Sequence, residues 1–365
     1  MKKKLRVGVI FGGKSGEHEV SLQSARSVIE AMDKDKYEPV LFAIDKKGKW
    51  HLSDSRRYLL DAGDPAAVRL SPDKKEMALV PGEEKERFLT LNKERPIGRV
   101  DVVFPVLHGP FGEDGTVQGL LKLAEVPFVG PGVLGSAVGM DKDVMKRLFR
   151  EAGIPTPKFL VFRNRREADF KAVKRELGLP FFVKPANLGS SIGISKVHDE
   201  PEFRRAIADA FRYDRKVLAE EAITGREIEC AVLGNERPRA SVPGEIIPRH
   251  EFYSYEAKYL DENGAALRIP ADLPRSVAKR VQKLAVQVFT VLGCEGMGRV
   301  DFFLTKRGAI LANEINTIPG FTKISMYPKL WEASGLPYPK LIDKLIELAL
   351  ERFGKEKKLL TSYAP

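Results

Sequence analysis

A buried strand is predicted by Leu5-Arg6-Val7-Gly8-Val9-Ile10-Phe11, a mostly apolar run that ends at a pair of glycines. A helix is predicted to follow over Ser21 to Met32, with Ser21 at its N-cap, and then a second strand over Pro39 to Ile44. A third strand is predicted at Val102-Val103-Phe104. Strands that alternate with helices indicate a parallel sheet, so we assign the chain to the α/β class.

The composition is that of an ordinary globular protein. The chain has 365 residues, 43% of them hydrophobic and 30% charged, which predicts two or three domains of about 150 residues. Wholesale disorder, a collagen-like repeat and a small disulfide-stapled fold are therefore excluded. The lysines at the N-terminus and the first strand imitate a signal peptide, but the apolar part is too short. No apolar run approaches the ~20 residues that span a bilayer, so no membrane partner is expected.

The cysteines and the net charge indicate the cellular compartment and the kind of ligand. Cys230 and Cys294 form no CxxC pair, which fits a reducing compartment, and a cytoplasmic location is expected. Lys and Arg exceed Asp and Glu by 61 to 50, a formal charge of +11. That balance suits nucleic-acid binding or an enzyme that handles anions. Long basic tracts are missing and the two signs intermix, as over Lys171 to Glu176, so no nucleic-acid partner is expected.

Glycine and proline clusters divide the chain. Gly130-Pro131-Gly132 and the run from Gly153 to Pro157 flank a predicted connector helix over about Lys142 to Glu151. A long polar stretch from Lys46 to Arg99 carries few signals. We expect three domains, at residues 1–140, 141–224 and 225–365. The later elements are predicted as strands near 181–184, 192–197, 216–221 and 228–233, and helices over 202–211, 275–292 and 341–352.

A loop of small residues follows a predicted strand at Lys184-Pro185-Ala186-Asn187-Leu188-Gly189-Ser190-Ser191-Ile192-Gly193. Glycines let backbone N–H groups approach an anion closely, and hydroxyls add donors, so this loop could bind phosphate. It is not a Walker loop because it contains no GK[ST]. A plain hairpin turn beside a lysine is the other interpretation.

A β-hairpin is predicted further along the chain. The strand over Arg299 to Leu304 alternates polar and apolar residues, and the returning strand is predicted from Ala309 to Glu314. A two-residue turn between them would place Asp301 opposite Ala312.

Four polar side chains would share one face of this hairpin: Arg299, Asp301, Glu314 and Asn316. Two carboxylates and an amide oxygen form the ligand set that Mg²⁺ prefers, normally together with substrate phosphates and water. The arginine would suit a planar oxyanion. The alternative is a solvated strand face with an Arg–Asp pair.

Four further segments are candidates for binding. Glu17-His18-Glu19 follows the first strand and could hold an ammonium group, although a helix-capping loop is the simpler explanation. His108 to Gly115 follows the third strand, where sites of parallel sheets form, but its Glu113 and Asp114 are more simply turn and cap residues. Glu220 to Glu227 could present backbone groups to a base and a carboxylate to a ribose, or be only a polar connection. The aromatic and basic stretch from Arg249 to Ala266 suggests a lid.

Taken together and in order, these segments resemble the D-alanine–D-alanine ligases of the ATP-grasp superfamily, over nearly the whole chain. The segments that carry the resemblance are Glu17 to Ser21, His108 to Gly115, Met140 to Lys142, Lys184 to Gly193, Glu220 to Glu227, Gly244 to Ile246, Tyr255 to Tyr259, Gly298 to Phe302, Glu314 to Gly320 and Thr322 to Met326. The carboxylate hairpin is shared across ATP-grasp enzymes. The first segment, the Glu256 to Tyr259 run and the last segment point more narrowly to the ligases.

The resemblance implies a three-domain ATP-grasp architecture with an N-terminal Rossmann-like parallel-sheet domain, and ATP held between the central and C-terminal domains. ATP would phosphorylate the carboxylate of one D-alanine, and the amine of a second would attack the acyl phosphate, for peptidoglycan synthesis. The implied cofactors are ATP and two Mg²⁺ ions, with Mn²⁺ able to substitute. The family expectation for the assembly is a homodimer.

The resemblance also implies roles for single residues. Around the nucleotide it places Lys142, Lys184, Ser190, Ser191, Glu220, Glu221, Ile223, Glu227 and Lys258. As metal ligands it implies Asp301, Glu314 and Asn316, with Arg299 stabilising the transferring phosphoryl group. Around the two amino acids it places Glu17 on the first ammonium group, a lid contact of Glu17 with Ser190 and Tyr259, and Ser325 and Met326 at the second substrate.

Two other functions stay open. The first alternative is a related ligase that uses D-lactate or D-serine as the second substrate, although Tyr259 favours D-alanine. Met326 stands where related ligases often carry Leu, a change of similar volume. The second alternative is a non-catalytic protein that binds nucleotides or nucleic acid. The complete set of metal-type ligands, Asp301, Glu314 and Asn316, argues against it. A catalytic triad of Ser190 with His18 or His108 is disfavoured because there is no GxSxG elbow.

Overall fold

Three large β-sheets organise the computed structural model, each built from one stretch of the chain. The structure describes residues 3–55, 57–61, 63–64, 67–72, 74–82, 87–91, 97–190, 192–248, 265–360 and 362. None of the helices in these ranges is both long and apolar enough to cross a membrane.

The described residues of the first stretch form eight strands. They are β1 (Leu5–Gly12), β2 (Tyr37–Ile44), β3 (Trp50–Ser53), β4 (Leu59–Leu60), β5 (Arg69–Leu70), β6 (Lys74–Leu79), β7 (Phe88–Thr90) and β8 (Val102–Val106). Six of them form a sheet in the order β7-β6-β3-β2-β1-β8, and β4 pairs with β5 separately.

The first sheet is mixed rather than wholly parallel, which corrects the prediction of a parallel-sheet domain. Strands β2 and β8 run parallel to β1, as predicted, whereas the successive pairs β2–β3, β3–β6 and β6–β7 are each antiparallel. The cause is the short link between β2 and β3, since parallel strands need a crossover of a dozen or more residues. Strands β3, β6 and β7, which lie in the stretch from 46 to 99 that carried few sequence signals, thus extend one edge of the sheet.

Helix α1 (His18–Ala31) packs on one face of the first sheet and α2 (Thr116–Leu123) on the other, and α3 (Val133–Met140) contacts α2. The prediction of Ser21 as an N-cap is wrong, because the helix begins three residues earlier, at His18. The Ser21 hydroxyl instead accepts a hydrogen bond from the Gly12 backbone N–H at 2.8 Å and donates one to the Val106 carbonyl. It therefore ties α1 to the ends of two strands.

The central stretch forms a four-stranded antiparallel sheet in the order β11-β10-β12-β9, with a helix before it and two helices against it. Its core contains Phe181, Val183 and Phe203. The elements are α4 (Lys142–Glu151), β9 (Phe159–Phe162), a 3₁₀ turn (Arg165–Glu167), α5 (Phe170–Leu177), β10 (Phe181–Pro185), β11 (Ser195–Val197), α6 (Glu200–Ala210) and β12 (Val217–Glu221).

The third stretch forms an antiparallel sheet in the order β16-β15-β13-β17-β18, with β14 paired to β13. Its elements are β13 (Gly225–Gly234), β14 (Arg239–Ala240), β15 (Gly244–Pro248), β16 (Ala265–Arg268), α7 (Arg275–Val291), β17 (Gly296–Thr305) and β18 (Ile310–Asn316). Helix α7 buries Val288 and Phe289 against Val300 and Phe302 on one face. The other face carries the polar residues of the site.

The last two helices, α8 (Met326–Ala333) and α9 (Tyr338–Glu356), return to the first sheet. Helix α9 contacts α1, β8 and β17. Its Leu341 and Leu345 belong to the same buried core as Val9 and Phe104. The beginning and the end of the chain therefore share one hydrophobic core, and the division at residues 140 and 224 stays a prediction.

Candidate active site

The hairpin of β17 and β18 brings four predicted residues to one face. Arg299 pairs with Asn316, and Asp301 pairs with Glu314. These four side chains are partly exposed, whereas Val300 between them is buried beneath α7. The shared face was predicted from the alternation of polar and apolar residues, and the register confirms it.

The predicted pairing of Asp301 with Ala312 is wrong. Ala312 lies opposite Phe302, because the turn contains three residues rather than two, and a β-bulge next to Asp301 adds one more residue of offset. The longer turn and the bulge each shift the cross-strand register by one residue. Because side chains on a strand alternate between the two faces, a total shift of two residues returns the side chains beyond the bulge to their predicted face. Glu314 therefore stays on the face of Asp301.

Arg299 is shared by two carboxylates. Its Nε and Nη2 donate to Oδ1 and Oδ2 of Asp301 at 2.8 and 2.7 Å. Its Nε also lies 2.9 Å from Oε2 of Glu229 on β13. Asn316 donates through Nδ2 to Asp301 at 2.9 Å.

Lys142, the first residue of α4, links the hairpin to the loop of small residues. Its ammonium group lies 3.3 Å from a carboxylate oxygen of Glu314 and donates to the Leu188 carbonyl at 2.7 Å. The lysine is only 5% exposed. It therefore holds the loop close to the carboxylates.

The chemistry of these side chains fits a divalent cation. Asp301 and Glu314 offer carboxylate oxygens and Asn316 an amide oxygen, which is a hard-ligand set suited to Mg²⁺. Each carboxylate has a protein cation beside it, Arg299 for the first and Lys142 for the second. The two carboxylates therefore already bind cationic groups at the place where a metal ion would add positive charge.

A buried cluster of three charges lies on the central stretch. The two oxygens of Glu220 bind different lysines, Lys184 at 2.6 Å and Lys146 at 2.7 Å. Lys146 is fully buried, and its ammonium group also donates to the Thr156 hydroxyl at 3.2 Å. Lys184 thus stands in the predicted loop region with its charge partly balanced by Glu220.

Burial and ion pairing act in opposite directions on this cluster. Burial lowers the pKa of Lys146 to about 8, against the raising effect of Glu220. Burial also tends to raise the pKa of Glu220, but the two lysines outweigh it and keep that pKa below its usual value. At neutral pH the cluster holds two ammonium groups and one carboxylate, a net positive charge that suits an anionic ligand.

The loop of small residues reaches the first sheet through Ser190, whose hydroxyl donates to a carboxylate oxygen of Glu17. Glu17 precedes α1, but its side chain makes no capping bond to that helix, so the capping explanation is wrong for this residue. A Cβ at Gly109 would lie 2.7 Å from Glu17 Oε2. Glycine there makes room for the carboxylate.

Part of the predicted site lies outside the described residues. Ser191, Lys258 and Tyr259 are among these positions. Their contacts with the nucleotide and the lid stay predictions.

The connection from β12 to β13 carries the other predicted nucleotide contacts. The Glu221 carboxylate accepts from the Lys158 backbone N–H at 2.7 Å, so its side chain is engaged within the central stretch. Ile223 lies in the short link between the strands. Glu227 lies on β13 two residues before the partner of Asp301, so it faces the same side of the sheet as the carboxylate hairpin.

His108 is a buried structural link rather than a base. Its Nδ1 lies 3.0 Å from the Ile318 carbonyl, and its Nε2 lies 3.1 Å from the Ser24 hydroxyl. Burial lowers its pKa to about 4, so the ring is neutral at pH 7. Because a carbonyl only accepts, Nδ1 carries the proton and Nε2 accepts from Ser24. Both nitrogens are engaged, which agrees with the rejection of a Ser190 triad.

Glu113 also joins the first sheet to the end of the hairpin. Its carboxylate accepts from the backbone N–H groups of Gly109 at 2.8 Å and Ile318 at 3.2 Å. Burial, together with the nearby Glu17 charge, raises its pKa to about 8. Asp114 accepts from the Thr116 N–H at 3.0 Å, at the start of α2. The N-cap of α2 is Gly115 rather than the predicted Asp114, although both acids bind backbone N–H groups of this segment, as the simpler explanation expected.

Ser325 precedes α8. Its hydroxyl accepts from the Thr322 N–H at 3.0 Å and lies 2.7 Å from the Thr322 hydroxyl. A Cβ at Gly320 would lie 2.8 Å from this hydroxyl, so glycine leaves room for it. Met326 is only 4% exposed and packs in the core shared by the first sheet and the last helices.

Two family models match this chain. The model described as D-ala D-ala ligase N-terminus matches residues 6–131, and the one described as D-ala D-ala ligase C-terminus matches residues 148–347. The chain belongs to the D-alanine–D-alanine ligase family.

Relatives of this ligase agree in sequence and in structure. A D-alanine–D-alanine ligase of Oceanobacillus iheyensis is 54% identical over 364 residues, 99% of each chain. The solved D-alanine–D-alanine ligase of Coxiella burnetii is 42% identical with a TM-score of 0.86, covering 97% of this chain and 96% of that one. The solved VanG D-Ala:D-Ser ligase of Enterococcus faecalis is 38% identical with a TM-score of 0.83, covering 95% and 100%. The predicted family and the α/β fold class are confirmed, and membership implies the use of ATP and a divalent metal ion.

Two charged residues of the ligase site were not predicted. Lys146 lies four residues after Lys142 on α4, so the two lysines share a helix face. Glu229 lies two residues after Glu227 on β13 and therefore shares a strand face with it. Both spacings were visible in the sequence, but neither reveals the partners that lie far along the chain.

Proposed function

We propose that this ligase joins two molecules of D-alanine into D-alanyl-D-alanine, for peptidoglycan synthesis, with ATP as the source of energy. The observation that supports it most is the hairpin face, where Arg299, Asp301, Glu314 and Asn316 lie beside Lys142. Such a face combines oxygen ligands for a metal ion with fixed positive charge for phosphate.

The reaction has two displacement steps. In the first, a carboxylate oxygen of one D-alanine attacks the γ-phosphorus of ATP, the bond from that phosphorus to the β–γ bridging oxygen breaks, and ADP leaves. In the second, the amine of the other D-alanine attacks the acyl carbon, phosphate leaves with the electron pair of the C–O bond, and the nitrogen loses a proton. Neither step needs a protein nucleophile, because positioning and charge neutralisation carry phosphoryl transfer.

For the nucleotide, we assign Lys142 and Lys184 to the phosphates. Both lysines are almost fully buried, Lys142 against the loop at Leu188 and the Glu314 carboxylate, and Lys184 against Glu220. Ser190 and Ser191 would cover the phosphates, and Lys258 would reach them from the lid. Four residues would surround the adenosine: Glu220, Glu221, Ile223 and Glu227. Backbone groups of this segment would contact the base, and the Glu227 carboxylate would contact the ribose.

For the metal, we assign Asp301, Glu314 and Asn316 as ligands of Mg²⁺, with two ions and with Mn²⁺ able to replace them. The bound metal would supply charge neutralisation between the phosphates. Arg299 would stabilise the transferring phosphoryl group and the tetrahedral oxyanion, and its bidentate geometry toward Asp301 supports a contact with a planar or tetrahedral set of oxygens.

For the amino acids, we assign Glu17 to the ammonium group of the first D-alanine. The contact of Glu17 with Ser190 supports this, because it sets the carboxylate at the edge of the phosphate loop. Tyr259 would complete this contact when the lid excludes water, which protects an acyl phosphate from hydrolysis. Ser325 would bind the carboxylate of the second D-alanine, and Met326 would adjoin its side chain.

A D-serine or D-lactate acceptor is the second candidate. The structure of a relative described as a D-Ala:D-Ser ligase is 38% identical to this chain, so the shared fold accommodates more than one acceptor. Tyr259 favours D-alanine over a hydroxy acid.

The test is a coupled ADP-release assay with purified protein, Mg–ATP and D-alanine, with L-alanine as the control. We expect ADP release that depends on D-alanine and a dipeptide product. Parallel product analysis with D-serine and D-lactate separates the acceptors. Absence of ADP release with every D-acceptor would refute the proposal.

The location, the assembly and the domains belong to the same proposal. Two buried cysteine thiols support a reducing cytoplasm. Exposed Leu123 and Leu134 on neighbouring helices support a homodimer, which light scattering after gel filtration would detect. The three sheets support domains at 1–140, 141–224 and 225–365.

A further inference from the structure

Glu229 is a buried carboxylate next to the predicted metal ligands. It lies on β13 directly opposite Asp301 on β17. Its side chain is 8% exposed, and its Oε2 lies 2.9 Å from the Nε of Arg299. It therefore competes with Asp301 for the same guanidinium.

The register fixes this arrangement. Residues that pair across antiparallel strands face the same side, so Glu229 and Asp301 both point to the site rather than to α7. Arg299 lies between them at 18% side-chain exposure. Its bonds to Asp301 use both oxygens of that carboxylate.

A carboxylate with both oxygens bound to arginine cannot at the same time offer them fully to a metal ion. When Asp301 becomes a metal ligand, Arg299 must give up part of these bonds. A buried guanidinium without a carboxylate partner is costly, because its desolvation is no longer compensated. A second carboxylate on the same face removes that cost and keeps the arginine in place.

We propose that Glu229 is a positioning residue that holds Arg299 in the site when Asp301 turns to the metal ion. This inference rests on the proposed function, and it assigns a role in the reaction to a residue that touches neither substrate. Glu229 acts only through Arg299.

The test uses Glu229→Gln, which keeps the size of the side chain and removes its charge. The matched control is Glu245→Gln. Glu245 lies on β15 and binds Arg226 of β13 at 2.6 and 2.7 Å, and its side chain is also 8% exposed. It pairs with Ile228 and therefore faces away from the site. Both variants remove one carboxylate from an Arg–Glu pair of the same sheet.

The first readout is steady-state kinetics with ATP and D-alanine. Loss of a charge-assisted hydrogen bond corresponds to roughly a 10- to 100-fold change. We expect kcat of Glu229→Gln to fall by that factor, with the KM for ATP almost unchanged, because Arg299 acts mainly in the transition state. Glu229→Asp, which keeps the charge, should recover part of the rate, and Glu245→Gln should keep kcat.

The second readout is Mn²⁺ binding in the presence of ADP, followed by electron paramagnetic resonance without D-alanine. We expect Glu229→Gln to weaken Mn²⁺ binding roughly tenfold, because Arg299 then depends on Asp301 alone. In an Arg299→Met background the same change should have almost no effect. This readout does not need ligase activity, so it separates failure of this inference from failure of the proposed function.

Two results would overturn the inference. One is Mn²⁺ affinity and kcat in Glu229→Gln that match those of Glu245→Gln, which would make Glu229 a structural ion-pair partner. The other is a weakened Mn²⁺ affinity that persists in the Arg299→Met background, which would mean that Glu229 acts on the ion directly. Thermal unfolding of each variant shows whether it is folded, and Glu229→Asp carries the kinetic test if Glu229→Gln is not.

Discussion

Replacement of Lys146 by methionine tests the buried charge cluster of the central stretch. Methionine retains most of the volume of the lysine and removes its charge. In the wild-type protein the Lys146 ammonium group is fully buried and lies 2.7 Å from Glu220, whose other oxygen is bound by Lys184. The variant therefore leaves a buried carboxylate with one cation instead of two.

The loss of stability depends on the ion pair that Glu220 keeps. Removal of one partner from a buried ion pair typically costs about 3–5 kcal/mol. Glu220 keeps its bond to Lys184 at 2.6 Å, so we expect a loss near the lower end, about 3 kcal/mol or roughly 100-fold in the unfolding equilibrium. Lys184 should also be held more tightly by Glu220, which leaves less of its charge for phosphate. We therefore expect the KM for ATP to rise more than kcat falls.

Urea unfolding followed by circular dichroism measures the first effect, and initial rates at varied ATP measure the second. Lys146→Met/Glu220→Gln completes a double-mutant cycle. We expect the double variant to recover much of the stability, because the carboxylate charge that lacked its partner is gone. A loss below about 1 kcal/mol in the single variant, or additive losses in the double variant, would refute the view that the two charges depend on each other.

Three other outcomes are expected. Glu314→Gln should lower kcat by more than roughly 100-fold in the ADP-release assay, because it removes a metal ligand, yet leave urea unfolding almost unchanged; near-normal turnover would contradict the metal assignment. Tyr259→Phe should loosen the lid and raise the ester product from D-lactate relative to the dipeptide; an unchanged ratio would count against the lid contact. The pKa of Glu113 is raised to about 8 by burial, so its contribution to stability is present at low pH and is lost as the pH rises through 8. The stability deficit of Glu113→Gln should therefore shrink between pH 5 and pH 9 in urea unfolding, whereas a constant deficit would rule out this titration.

The local patterns predicted most of the regular elements. The strands near Val7, Val40 and Val103 and their parallel pairing followed from apolar runs and the helix between the first two. Helix α4 was predicted with its observed ends from the Gly/Pro clusters that flank it, and in the structure Asp141 at its N-cap accepts from the backbone N–H groups of Asp143 and Val144. These features depend on residues close together in the chain.

Features that depend on distant residues were harder to predict. The short antiparallel strands β3, β6 and β7 show only weak alternation in the sequence, so the mixed character of the first sheet was missed. The bulge beside Asp301 changed its cross-strand partner, although the shared face survived because the face depends only on alternation. Lys146 belongs to the site because it binds Glu220, and Glu229 because it lies beside Arg299. In each pair the two residues are more than sixty positions apart in the chain.

The packing of α9 against the first sheet affects the order in which this protein can mature. During translation, strands β1, β2 and β8 leave the ribosome long before Tyr338–Glu356 is made, so the part of the apolar face beside α1 that this helix covers stays exposed in the meantime. A stop codon just before Tyr338 would remove α9 and thus uncover part of the first sheet, which is made earliest. The catalytic hairpin, which α9 also contacts, would lose its support at the same moment.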